Sequence, residues 1–272
     1  MPHNTPLLST WRRGTGYLAE MSSIRVVSMA LALLFGASRG STQTPELPPT
    51  SVVHSASGAQ PGDRLDVGSF TLFAGSQRAG REQFSIRRML SPDGAMFELR
   101  AESASGEQRT AMRLETDSAG TPLRYSLEER RGADITRRLS GQRLRGRFST
   151  LARAVTGEAA REYLLSPGAI ILEDEGLVQY ALLVRDRHAE VGVTQSIPTL
   201  TPSANRQGSV RLVLETQRDT VVIAGARREA WRWRVVLTSS DSRTIWADAD
   251  GRLLRVLLPA RGVDAVRDDV PR

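Results

Sequence analysis

The sequence predicts a mainly β protein: one curved antiparallel sheet or half-open barrel, with a helix packed against its concave face. Three observations predict it. Between Arg228 and Pro259 the chain alternates, with Trp231, Trp233, Val235 and Leu237 on one side of an extended strand and Arg232 and Arg234 on the other. That period of two is the signature of a half-buried strand. From Val67 onward, short apolar runs are separated by turn residues at regular spacing, with no helical crossover among the first of them. Such a succession argues an antiparallel sheet. A single stretch, Glu173 to Arg187, carries a clear helical pattern.

Three segments precede the domain. Residues 1–20 have no apolar period and read as an unstructured start upstream of the true initiator at Met21. Residues 21–40 read as a signal peptide, with Arg25 as its positive charge, Val26 to Ala37 as its apolar run, and small residues at Ala37-Ser38 and Gly40-Ser41. The run is shorter than the roughly 20 residues that a membrane span needs. The mature chain is therefore expected to begin near Arg39–Gln43, without a transmembrane span, in the periplasm or outside the cell. Residues 41–65 are rich in Pro, Ser, Thr and Gly, cannot bury enough apolar surface to order themselves, and read as a linker that carries His54.

The β-rich domain is expected over residues 66–267. Phe70 and Leu72 begin a strand that ends in the turn Gly75 to Gly80. Arg81 to Leu90 alternates Glu82, Phe84 and Ile86 against Arg81, Gln83, Ser85 and Arg87. Ser91-Pro92-Asp93-Gly94 is a strong turn signal. Met96 to Ala104 and Gln108 to Thr116 pair around Ser105-Gly106; Leu123 to Arg131 returns with Leu123, Tyr125 and Leu127 on one face. Ile135 to Leu139 and Arg143 to Ser149 follow, and Thr150 to Leu165 reads part helix, part strand. In Glu173 to Arg187, acids sit at the start and Arg185 and Arg187 near the end, which suits the helix dipole. Leu177, Ala181 and Val184 make its apolar face, with Val178 and Leu182 beside them and Tyr180 at the edge. Pro198 to Gly208 is a loop. Gly208 to Thr216 and Thr220 to Ile223 lead into the Trp-bearing meander, with turns at Ser239–Ser242 and Asp248–Gly251. The meander is expected to be the closing edge of the sheet. Asp264 to Arg272 reads as polar chain, residues 268–272 as a tail.

Composition narrows the functions. The 272 residues are 40% hydrophobic and 25% charged, ordinary for a chain with a sizeable core. The net charge of +7 and isoelectric point near 10.9 raise the question of nucleic acid. Every basic residue is arginine and the arginines spread along most strands, which fits GC-rich coding and a solvated surface, so no nucleic acid is expected. The absence of cysteine removes disulfides, thiol catalysis, iron–sulfur clusters, Cys-based zinc and a lipid-modified cysteine at the signal cleavage site.

No catalytic set emerges. His188 is the lone histidine of the domain and no G-x-S-x-G elbow accompanies it. Asp248-Ala249-Asp250-Gly251 is oxygen-rich, but Leu254, Leu257 and Leu258 stand where later calcium ligands belong, so it reads as a hairpin turn. Glu173, Asp174 and Glu175 read as helix-start acids. No catalytic residue, metal site or cofactor is assigned.

The stretch SFTLFAGSQRAGREQFSI after a signal peptide, the run of antiparallel strands, the interrupting helix and the closing TIWADADGRLLRVLLP together resemble bacterial exported β-rich proteins. Those are similar to the periplasmic lipoprotein carriers and lipocalin-like folds. The resemblance implies a curved sheet around helical cover, enclosing an apolar cavity for acyl chains. On that reading Trp231, Trp233, Trp246, Leu177, Tyr180, Ala181 and Val184 line the ligand space. The expected function is an exported, non-enzymatic protein holding an apolar or lipid-like ligand. A structural or interaction protein of the cell envelope, with an envelope component as partner, and a hydrolase using His188 remain the alternatives.

Overall fold

The computed structural model describes residues 62–92, 94–185 and 189–271. The start, the signal peptide, most of the linker and His188 lie outside the described residues. Eight strands follow one another as antiparallel neighbours: β1 (Asp63–Ala74), β2 (Gln77–Ser91), β3 (Gly94–Ser105), β4 (Gln108–Asp117), β5 (Pro122–Arg131), β6 (Asp134–Leu144), β7 (Arg147–Ala154) and β8 (Gly157–Leu164). The stretch that reads part helix, part strand is thus the β7–β8 hairpin. Two hairpin turns, Arg145-Gly146 and Ala224-Gly225, put both residues at positive φ. That conformation matches the right-handed twist of paired strands and needs the glycine in second place.

The chain then runs through β9 (Ile170–Ile171), a 3-10 turn (Val178–Tyr180) and the short helix α1 (Ala181–Val184). β10 (Thr194–Thr201), β11 (Arg206–Ile223), β12 (Ala226–Val236), β13 (Ser242–Ala247), β14 (Leu253–Leu258) and β15 (Val263–Arg267) complete the β content. All fifteen described strands form one sheet in the order β8-β7-β6-β5-β4-β3-β2-β1-β15-β14-β13-β12-β11-β10-β9. The sheet is a curved, unclosed, half-open barrel, as the sequence predicts. One pair departs from the antiparallel expectation: β9 runs parallel to β10.

Curvature follows from connectivity. Laid flat, fifteen strands at about 4.8 Å spacing would be about 67 Å wide. Yet β8 and β9, the two ends of that order, are joined by the chain from Leu164 to Ile170, whose reach is about 21 Å at most. The sheet must therefore wrap. Side chains make the seam where its ends meet: Tyr163 Oη donates to Asn205 Oδ1 at 2.9 Å, Gln207 Nε2 to the Leu164 carbonyl at 3.0 Å and Arg137 Nη1 to the Ser203 carbonyl at 3.3 Å. Ile170 and Ile171, successive residues facing opposite ways, are both fully buried. Continuous burial marks a strand covered on both faces, so β9 ends the sheet inside the molecule.

The meander is central rather than an edge. β12, β13 and β14 sit between β11 and β15, and β15 pairs with β1. Part of the stretch read as polar chain is thus a ladder strand that joins the two ends of the domain. Past it, Asp268 accepts hydrogen bonds from Ser69 Oγ and Thr71 Oγ1, both at 2.6 Å. β1 also begins at Asp63, within the stretch read as linker.

One large core lies on the concave face. It joins Phe70, Phe84, Leu99, Leu114, Tyr125, Phe148, Leu212, Trp233, Val235, Ile245 and Val256 to Leu177, Val178, Tyr180, Ala181, Leu183 and Val184 of the inserted segment. Burying each such side chain contributes about 1.5–3 kcal/mol. The helix itself is much shorter than the predicted 173–187: one 3-10 turn and four α residues. Its apolar stripe is real, but residues 169–173 and 177–181 are buried without a break. A segment enclosed on all sides needs no polar helical face, and side chains of the barrel take over its hydrogen bonds.

Candidate functional site

The inserted segment is held by three buried polar side chains. Glu82 stands in the inward phase of β2, with Phe84 and Ile86. Its two carboxylate oxygens accept the Leu177 N–H, each at 2.9 Å, and Oε1 also accepts the Val178 N–H at 2.9 Å. Complete burial pushes this carboxyl up to about 7, against those two N–H groups. Gln179, fully buried, staples its own loop: Oε1 accepts the Glu173 N–H at 2.7 Å, and Nε2 donates to the carbonyls of Glu173 at 2.7 Å and Gly176 at 2.8 Å. Glu173 does not cap a helix. It accepts Tyr125 Oη at 2.9 Å, the Ser203 N–H at 3.2 Å and the Ser203 hydroxyl. Burial raises the Glu173 carboxyl, with the Ser203 and Tyr125 bonds opposing. Burial and the neighbouring Glu173 charge push Tyr125 well up.

Most of the residues predicted to line a ligand space come together as core. Leu177, Tyr180, Ala181, Val184 and Trp233 are all at most 4% exposed in one cluster, with Trp231 packed partly buried against it. Tyr180, Ala181 and Trp233, each at most 1% exposed, are packed interior side chains and not the walls of an open space. Trp246 departs from the group. It neighbours the inward Ile245, so it points to the opposite face, into a second small core with Val221, Ile223, Ala230 and Leu254. There its Nε1–H donates to Asp219 Oδ2 at 2.9 Å and the Arg255 guanidinium lies 4.8 Å from its ring centroid. Asp248 and Asp250 form the expected turn: Asp248 Oδ1 accepts the N–H groups of Asp250 at 3.0 Å and Arg252 at 2.8 Å, and Gly251 has φ 75°.

Open space lies beside this core, where the barrel interior meets solvent. A cavity of about 430 Å³ is lined by residues of β9's exit, β10, β11, the β12–β13 turn, β13 and the turn after β14. Its floor is Leu172, Val210 and Arg243, each 3% exposed, with Leu237 beside them. Three arginines from separate elements converge on it: Arg206, Arg243 and Arg261. Arg243 occupies an inward position of β13, two residues before Ile245. Its guanidinium donates to the Tyr180 hydroxyl, lies 3.2 Å from Asp241 Oδ2 and 3.5 Å from Asp174 Oδ1. Burial opposes its charge, and Tyr180 and Asp241 hold the guanidinium in the charged form. Arg206 pairs with Asp174 at 3.3 Å, and Arg261 donates to the Asp174 carbonyl and to Glu175 at 3.2 Å. Arg206 and Arg261 form the exposed rim, and the lining sets three arginines and the apolar Leu172, Val210 and Leu237 beside two aspartates, Asp174 and Asp241. Burial pushes the Tyr180 hydroxyl up to about 12, the Arg243 charge opposing, and it links this mouth to the core.

No protein-family model matches the chain, and no curated protein matches it. A solved structure similar to it is the beta-barrel-like protein of domain of unknown function DUF1849 from Brucella abortus, with a TM-score of 0.43 and 8% identity over 78% of this chain and 97% of that one. Among the described residues, no helix is long and apolar enough to cross a membrane.

The mouth was missed by sequence reasoning, which followed the aromatic residues. A usable signal was present: Arg243 shares the phase of Ile245 and Ala247, so an inward arginine interrupts an apolar series. Arg206, Arg261 and Asp174 carry no comparable mark, because only the fold brings their loops together.

Proposed function

We propose that the protein is an exported, non-enzymatic binding protein of the periplasm or cell exterior that holds a small amphipathic anion at the barrel mouth. The convergence of Arg206, Arg243 and Arg261 beside the apolar Leu172, Val210 and Leu237 carries this reading. A carboxylate or phosphate head accepts paired N–H groups from the rim arginines, and its apolar part lies against Leu172, Val210 and Leu237. The cavity volume of about 430 Å³ suits a small ligand, since such sites span roughly 300–1,000 Å³. The near-zero exposure of Tyr180, Ala181 and Trp233 favours the mouth over a space between inserted segment and sheet.

Decanoate tests it. At a hundredfold excess over Kd, a ligand that binds only the folded chain stabilises it by about 2.7 kcal/mol. A clear rise in melting temperature is expected with decanoate, a smaller one with decanol, and none with decanoate in Arg206→Gln/Arg261→Gln. Equal shifts from decanoate and decanol, or no shift from either, would remove the reading.

A further inference from the structure

We propose that Asp174 is an internal competitor at the barrel mouth: its carboxylate occupies the place that an anionic ligand takes, and binding displaces it. The inference rests on the mouth reading and adds how that site is regulated. Asp174 follows the buried Glu173 in the segment between β9 and the 3-10 turn. The backbone there is fixed from both sides. Tyr125 and Ser203 hold Glu173, Gln179 Nε2 donates to the carbonyls of Glu173 and Gly176, and Arg261 donates to the Asp174 carbonyl. The Asp174 side chain is nonetheless 48% exposed. Its carboxylate can therefore leave by rotating about its own side-chain bonds, between ordinary rotamers, while the loop stays in place.

Its contacts are loose ones. A single oxygen, Oδ1, serves arginines of two separate strands: Arg206 Nη2 of β11 at 3.3 Å and Arg243 Nη2 of β13 at 3.5 Å. Charge-assisted bonds between a guanidinium and a carboxylate are normally about 2.7–2.9 Å. The chain makes such bonds elsewhere. Arg255 meets both oxygens of Asp264 at 2.8 and 2.6 Å, and Arg267 meets both oxygens of Asp66 at 2.7 and 3.0 Å. An exposed pair held through one long contact, like Arg206–Asp174, contributes little. Arg243 keeps Tyr180 and Asp241 when Asp174 leaves, so its buried charge is not left alone.

The pairing bears on selectivity. Arg206, Arg243 and Arg261 are met by Asp174, Asp241 and Glu175, so formal charge at the mouth is balanced before a ligand arrives. An anion that only matches Asp174 gains nothing by replacing it. A ligand carboxylate that engages Arg206 through both oxygens forms the stronger pair. One that also carries an apolar part adds burial against Leu172, Val210 and Leu237. The competing carboxylate thus sets the mouth against small anions as well as for amphipathic ones.

The test is isothermal titration calorimetry of decanoate against the full chain. Asp174→Asn and Asp174→Ser should each bind decanoate about fivefold more tightly than wild type, the scale set by losing one exposed ion pair. The gap should narrow as salt rises, because the extra attraction is between charges open to solvent. Glu158→Gln, on an exposed residue of β8, changes the net charge by the same amount and should leave the affinity within about twofold. Circular dichroism confirms that each variant is folded. The proposal is overturned, and the mouth reading kept, if decanoate binds wild type through Arg206 and Arg261 but the Asp174 variants bind it no more tightly. Weaker binding by those variants also overturns it, since Asp174 would then position the arginines. So does an equal gain from Glu158→Gln, or a gap that salt leaves unchanged. If decanoate binds none of these proteins, the mouth reading falls and this inference with it.

Discussion

Arg267→Met is expected to lower the free energy of unfolding by about 3–5 kcal/mol, the cost of leaving one partner of a buried ion pair alone. The Arg267 side chain has no exposed surface. Its guanidinium holds Asp66 through two bonds, at 2.7 and 3.0 Å, donates to the carbonyls of Val67 and Leu253, and lies 5.2 Å from the centre of the Phe84 ring. Phe84 in turn stacks on Phe70 at 5.1 Å. This clasp joins the first strand to the last across the middle of the sheet, so its loss weakens the β1–β15 ladder and not only one contact. Replacing both partners, Arg267→Met with Asp66→Leu, should recover at least half of the loss, because no buried charge is then left unpaired. Urea unfolding followed by tryptophan fluorescence measures both. A loss under about 1 kcal/mol for the single variant would mean that water reaches the pair.

Glu82 gives the second large effect, and it depends on pH. The folded chain keeps the Glu82 proton up to about pH 7, whereas a free carboxyl loses it near 4.5. Between those values the folded state binds more protons than the unfolded one, so stability falls as pH rises. The contribution is fully present below about 4.5 and gone above about 7. A shift of this size corresponds to about 3 kcal/mol. Glu82→Gln removes the titration. The difference in unfolding free energy, variant minus wild type, should therefore rise by about 3 kcal/mol between pH 4.5 and 7 and then level off. Glu173 and Asp248 titrate with the same sign, and Glu98 and Asp268 with the opposite sign, in both proteins, so they cancel in that difference. Parallel curves for the two proteins would show that Glu82 does not hold the inserted segment as a buried group.

The strands were legible because alternation and turn chemistry are local. Trp231, Trp233 and Val235 were on one side of β12 in the sequence and are so in the fold. Strand order was not legible: Phe70 meets Arg267 from the far end of the domain, and no local pattern encodes that pairing. Trp246 was misplaced because Ile245-Trp246 offers two large apolar residues in succession. Which of them is covered by a second core depends on Val221 and Ile223 of the β11–β12 hairpin. The 173–187 helix failed for a related reason. Acid-first, apolar-stripe spacing suits a surface helix, but it also suits a buried segment whose N–H groups are taken by Glu82 and Gln179. The polar residues that organise the interior, Glu82, Arg243 and Arg267, all stand in inward phase among apolar neighbours. A strand's polar exceptions were thus the visible trace of the candidate site, while their partners were not.

Diffraction from crystals soaked in 10-bromodecanoate, with the bromine located by its anomalous signal, tests the ligand site most directly. The mouth reading predicts the carboxylate within hydrogen-bond distance of Arg206 or Arg261 and the chain over Leu172, Val210 and Leu237. Bromine located between Tyr180 or Ala181 and Trp233, inside the packed core, would contradict it.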